Sequence, residues 1–240
     1  MQRKDCKEQE LIYLVNYVIP DDVKKSRLIR SVKMRCYNEY FLERYSWYKG
    51  CMICEEWLND RKLFCEWIDE NYYLIDGLAE RNIQLDKDIL VPGNIVYAPT
   101  TCLFVPARMN TLVNSLTVTK NKNRDNGLPV GVHKLKDGKY FMAIGSDGKQ
   151  HSKKVDTVEE AFDLYKEAKK KEFQKIADLY EDVVPEKVTE AFLKWMDIVD
   201  GLTVDNWQEV LTKKKEVENS YIICQKRGKK TYERLTCPTP

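Results

Sequence analysis

The stretch from Leu85 to Asn110 constrains what this chain can fold into more than any other part of it. It opens with Leu85-Asp86-Lys87-Asp88-Ile89-Leu90 and turns through Pro92-Gly93-Asn94. It continues as Tyr97-Ala98-Pro99-Thr100-Thr101-Cys102-Leu103-Phe104-Val105-Pro106, with Asn110 beyond. Two carboxylates end an apolar run, a Gly-Asn turn follows, and a β-rich run covers Cys102 to Val105. Met109, Leu112 and Val113 then take helical spacing. The order is strand, loop, strand, helix. Such a ββα unit can set an acidic side chain from its first strand and a polar side chain from its helix on two sides of one divalent ion. A metal so held stabilises the leaving oxygen of a broken phosphodiester.

Punctuation residues divide the rest. A helix is expected over residues 8 to 19, stopped by Pro20, and Asp21 or Asp22 caps a second one running to about Tyr45. Trp57 to Tyr72 reads as helix. Residues 121 to 128 are polar and basic, with Asn126-Gly127 as a turn, and form a linker. Three short strands follow. Thr157, with Glu160 three residues on, makes a capping box for a long helix to about Asp182, and Pro185 opens another to about Val199. Phe162, Tyr165, Phe173 and Tyr180 are core positions of that helical part. Val204 to Lys214 reads as helical, and Ser220–Cys224 with Lys230–Leu235 as a hairpin around a basic turn that can touch phosphate.

Charge is abundant but nearly balanced, with 40 Lys and Arg against 38 Asp and Glu in 240 residues. Its distribution carries the information. Residues 120 to 154 hold nine basic residues against three Asp, whereas residues 156 to 190 hold eleven acids against six lysines. A basic β-rich block beside an acidic helix meets phosphates on one face and stays soluble on the other. The candidate phosphate contacts are Lys134, Lys136, Lys139, Lys149, Lys153 and Lys154, lysines that bind phosphate well and read bases poorly. Eight cysteines without a secretory leader or a membrane-length apolar run point to reduced thiols in a cytoplasmic protein. Cys51 and Cys54, with Cys36 and Cys65, have zinc-ligand spacing, but buried packing thiols are the stronger reading, so zinc is not expected. No phosphate-binding loop, dinucleotide fingerprint or heptad array is present.

The Leu85-Asp86-Lys87-Asp88 run, the Gly93-Asn94 turn and the run from Tyr97 to Pro106 with Asn110 resemble the phage-type HNH homing endonucleases. Met34-Arg35-Cys36-Tyr37-Asn38, Cys54-Glu55-Glu56-Trp57-Leu58-Asn59, Phe64, Trp67 and Asn71-Tyr72 are similar to the helical approach in those proteins. Downstream, Gly131-Val132, Gly138-Lys139-Tyr140, Ala143-Ile144 and Asp156-Thr157-Val158-Glu159-Glu160-Ala161-Phe162, with Tyr165 and Ala168, resemble the AP2 DNA-binding domain. The resemblance implies an α+β chain: a ββα-metal (HNH-like) module with a helical N-terminal part, then an AP2-like three-stranded sheet plus helix. Its segments are a diverged N-terminal helical segment (1–31), the HNH-like module (32–120), the AP2-like domain (128–199) and a C-terminal extension (200–240).

By the same resemblance, Asp86, Lys87, Asp88, Asn94 and Thr101 line the catalytic site, and Asp86 and Thr101 hold Mg²⁺ or another divalent metal. Lys87 stands where the family places its general-base His, and Thr101 where it places an Asn. The only histidines, His133 and His151, lie in the AP2-like part. A lysine is protonated at neutral pH unless burial lowers its pKa by several units. Three functions follow. The chain is a metal-dependent DNA endonuclease, or a double-stranded-DNA-binding regulator with an inactive nuclease module. Alternatively it is a phage inhibitor or adaptor for a host protein or ribonucleoprotein. Each would act in the cytoplasm of a phage-infected bacterium, with no membrane partner.

Overall fold

The computed structural model describes residues 15–77, 82–116, 127–146 and 149–212. Strand β1 (Asn16–Tyr17) comes first and pairs antiparallel with Tyr73–Leu74. The described end of the helix expected over residues 8 to 19 is therefore extended; residues 8 to 14 lie outside the described residues. Pro20 disfavours helical backbone at Ile19, and the Tyr17 ring meets Tyr73 edge-on at 6.4 Å. Helix α1 (Asp22–Tyr37) starts where expected, the Asp21 carboxylate accepting from the Lys24 amide at 2.6 Å. It ends eight residues short of Tyr45. The Asn38 side chain accepts from the Phe41 amide at 2.8 Å and begins a separate helix, α2 (Glu39–Arg44).

Strand β2 (Met52–Ile53) leads to α3 (Glu55–Asn59) and α4 (Arg61–Asn71). One helix was expected here. Asp60 splits it by capping the Lys62 amide at 2.8 Å, since a short carboxylate competes for backbone donors. Then come β3 (Tyr73–Leu74), β4 (Ile83–Asp86), β5 (Val96–Tyr97), β6 (Leu103–Pro106) and α5 (Ala107–Asn114). β4 and β6 pair antiparallel, Asp86 opposite Leu103, and α5 follows at once, so strand, loop, strand and helix occur in the order read. The loop between them is not featureless: β5 leaves to pair in parallel with β2, Met52 opposite Val96.

The three strands expected next are β7 (Val132–Lys134), β8 (Tyr140–Ser146) and β9 (Lys149–Val155), an antiparallel sheet in that order. Helix α6 (Val158–Tyr180) covers one face of it. Thr157 Oγ1 accepts from the Glu160 amide at 3.2 Å, and Glu160 reaches back to the Asp156 amide, one residue before the position a capping box prescribes. α6 passes so close to the sheet that a Cβ on Gly131, at φ +77°, would lie 2.0 Å from the Tyr165 ring; only glycine fits. Helix α7 (Glu186–Asp200) packs on α6 through Phe173 and Phe192, centroids 4.8 Å apart, and α8 (Trp207–Thr212) closes the described chain. The end of the helix expected to Lys214 and the hairpin expected over 220 to 235 lie outside the described residues.

The architecture is α+β, with small sheets among helices. Its core is continuous across the two sequence regions. Trp57 stacks on Phe64 at 3.9 Å, and Trp67 lies over Phe104 at 5.5 Å. The Trp195 indole of α7 donates to the Ile89 carbonyl at 2.9 Å, tying the helical pair to the loop after β4. Phe162, Tyr165, Phe173 and Tyr180 are all buried. Among the described residues no helix is long and apolar enough to cross a membrane.

Candidate functional site

The residues singled out between Asp86 and Thr101 do come together, but they face one another and the backbone. Asp86 ends β4 and is only 8% exposed. Its Oδ1 accepts from the amides of Asp88 (2.9 Å) and Ile89 (2.7 Å), which folds the chain back on itself as an Asx turn. Burial, and then the negative charge of Asp88, push its carboxyl up to about 7. Asn94, 4% exposed, donates to the carbonyls of Lys87 (2.6 Å) and Val96 (2.7 Å) and accepts from the Val96 amide at 3.1 Å. Thr101 Oγ1 donates to the Val96 carbonyl at 2.7 Å.

Lys87 is buried as well, at 5% exposure. Its ammonium donates to Asp88 Oδ2 and the Asn94 carbonyl, both at 3.0 Å, and lies 5.9 Å from the Tyr97 ring centre. Burial opposes its charge most strongly, but the Asp88 carboxylate together with the Cys51, Tyr97 and Asp86 groups outweighs it and holds its pKa above the ordinary lysine range. A proton so held is not available to activate water. The donor set does not suit a catalytic metal either. One implied ligand spends an oxygen on two backbone amides, the other gives its hydroxyl proton to a carbonyl, and an ammonium is locked between them in sequence. Chemically this is a satisfied polar plug that fixes the path from β4 to β5.

One participant had no local signal. Arg35 of α1 sends Nη1 to the Leu85 carbonyl and the Tyr97 hydroxyl, each at 3.4 Å, and its guanidinium lies 5.6 Å from the Tyr48 ring centre. Burial works against its charge, and the Tyr97, Tyr48 and Asp86 groups more than restore it. No spacing rule links residues this far apart in sequence.

The six lysines of the sheet are all exposed, but the register divides them. Val132, Met142 and Ile144 are buried on the α6 side, and pairing puts Lys153 opposite Met142 and His151 opposite Ile144, so these share that side along the edge strand. Lys149, opposite Ser146, follows the same alternation. Lys154 pairs with Phe141 and falls on the other face, together with His133, Ala143 and Ser152. Lys154 also binds Asp137 at 2.6 Å, Lys139 binds Asp156, and Lys134 sits 5.8 Å from the Tyr140 ring centre. Lys136 lies in the β7–β8 turn. Among the described residues Lys136, Lys149 and Lys153 have no carboxylate partner.

On the face away from α6, the rings of His133 and Phe141 stack at 4.9 Å and 20°. Beside them lie the small residues Ala143 and Ser152, with Lys154 at the rim. The sequence contained both rings, but only the strand register shows that they adjoin. Among the described residues α6 is the only element packed broadly on this sheet, and it covers the opposite face. No protein-family description, curated protein or solved structure matches the chain.

Proposed function

We propose that this protein binds duplex DNA without cleaving it. In this reading the HNH-like ββα unit serves as a rigid support, and the AP2-like sheet is the contact surface. The observation that carries the reading is the face of β7–β9 that no described element covers. It is a three-stranded antiparallel sheet face with a flat aromatic pair, small residues beside it and Lys154 at its rim. The major groove admits two β-strands, so part of this sheet can enter it with Lys154 against a phosphate of the groove wall. The internally satisfied turn from Asp86 to Thr101 argues against hydrolysis, so Mg²⁺ has no role in this reading.

A second reading has its own observation. α2 and the turn after it expose Tyr40 (77%) and Trp47 (47%), and large exposed aromatics commonly anchor protein partners. An inhibitor or adaptor acting on a host protein would use that surface.

Incubation with supercoiled and linear DNA under Mg²⁺, Mn²⁺ and EDTA, together with anisotropy titrations of a labelled duplex, separates these functions. We expect saturable duplex binding at about 50 mM salt that weakens steeply as salt rises, and intact DNA under every metal condition. Metal-dependent nicking that disappears in Asp86→Ala would restore the nuclease. Absence of binding would leave the aromatic surface of α2 as the functional one.

A further inference from the structure

A cavity of about 480 Å³ opens between the start of β7, the end of β8 and the middle of α6. That volume lies within the range of about 300 to 1,000 Å³ usual for small-molecule sites. Val130 and Ile144 supply an apolar wall. The polar side is cationic, with Lys169 from α6, Lys149 and Gln150 from β9, and Ser115 from the end of α5; no carboxylate lines it among the described residues.

Lys169 is the unusual member. It is 5% exposed, and its ammonium donates to Ser115 Oγ at 2.7 Å, with the Tyr165 ring centre 5.5 Å away. The Ser115 hydroxyl is itself committed to the Leu112 carbonyl at 2.6 Å. An ammonium has three donors, and one neutral hydroxyl satisfies only one of them. Burial pushes this amine down to about 8, opposed by the more distant Glu172. A buried cation with spare donors at a cavity wall is unfavourable by itself and is stabilised by an anion in that cavity.

We propose that this cavity binds a small organic phosphate of mononucleotide size, its phosphate held by Lys169 and Lys149 and its apolar part against Val130 and Ile144. The site does not depend on the sheet's binding to DNA. A phosphate of this kind comes either from a free nucleotide or from the end of a nucleic-acid strand.

Calorimetric titration of the full chain with adenosine monophosphate, adenosine and inorganic phosphate tests the site. Adenosine monophosphate should bind saturably at one per chain, and adenosine should bind about tenfold or more weakly, the worth of a charge-assisted hydrogen bond. Lys169→Met should cost the nucleotide a similar factor. Lys149→Met, at an exposed strand position, should weaken binding by a similar factor while circular dichroism stays unchanged, which covers the case in which Lys169→Met fails to fold. Equal binding of adenosine, undiminished binding in either variant, or no saturable binding of the nucleotide overturns the proposal. Displacement of the nucleotide by a 5′-phosphorylated duplex assigns the phosphate to a strand end, and failure to displace assigns it to a free nucleotide. Loss of nucleotide binding in Lys169→Met with duplex affinity retained separates this site from the DNA-binding face.

Discussion

The turn from Asp86 to Thr101 and the sheet from Val132 to Val155 are both dense in polar and charged side chains, and they use them in opposite ways. In the turn, Asp86, Lys87 and Asn94 are buried and each is bonded to backbone or to a neighbouring side chain. In the sheet, the lysines lie at the surface, and their ion pairs join groups that water already solvates: the Lys154 and Asp137 side chains are each 51% exposed. Buried polar groups that are paired with the backbone and with one another specify one chain path. Exposed charges contribute little to stability and remain available to phosphates. The residues that most resemble catalytic machinery in the sequence are thus the ones the fold has consumed.

That contrast can be broken, most severely at Asn94. Asn94→Ala removes three hydrogen bonds and strands the Lys87 carbonyl and the Val96 amide in the interior, the Val96 carbonyl keeping Thr101, which should cost about 3 kcal/mol in urea unfolding. Duplex affinity of the folded fraction should be unchanged. A loss below about 1 kcal/mol would mean that water enters the turn and that its polar groups are not a structural plug.

A smaller effect is expected from pH. The Asp86 carboxyl binds its proton more tightly in the folded chain, where its pKa is about 7, than in the unfolded chain. The folded state therefore carries the extra proton. The resulting stabilisation is complete below the unfolded pKa and is lost as pH rises through about 7. Urea midpoints should fall between about pH 5 and pH 8, by an amount on the order of 2 kcal/mol. Asp86→Asn keeps an acceptor for the Asp88 and Ile89 amides and should flatten that profile. An unaltered profile in the variant would assign the pH dependence to other groups.

The smallest stability effect, and the sharpest on function, belongs to the sheet. Lys154→Gln breaks an exposed ion pair and should change unfolding free energy by less than about 1 kcal/mol. The slope of log K for duplex DNA against log salt should fall by about 0.9, one phosphate contact. Destabilisation as large as that of Asn94→Ala, with the slope intact, would reverse the roles assigned to the two regions.

Much of the fold is legible along the chain because its signals are local. Asp21 and Thr157 cap helices where their short oxygens reach amides three residues ahead, Pro185 precedes α7, and the run from Leu85 to Val113 orders itself as strand, strand and helix. Asn38 and Asp60 carry the same kind of signal in the midst of helical pattern, and there the capping bond prevails over propensity and breaks the helix. Tyr17 shows the opposite limit. Its run is apolar enough for a helix, but its strand conformation depends on Tyr73, a residue that only folding brings beside it.

The amino-acid order alone determined which residues are charged, where helices begin, and that a basic β-rich block precedes an acidic helix. Whether a charge serves structure or a ligand was decided by tertiary packing, because the cost of burying an ion depends on partners from distant elements. Arg35 reaches Leu85 and Tyr97 from another helix, Trp195 reaches Ile89 from α7, and Lys169 reaches Ser115 across a cavity. The faces of the sheet were decided in the same way. A period of two places alternate residues on opposite sides, but only pairing against β8 and coverage by α6 select which lysines accompany His133 and Phe141.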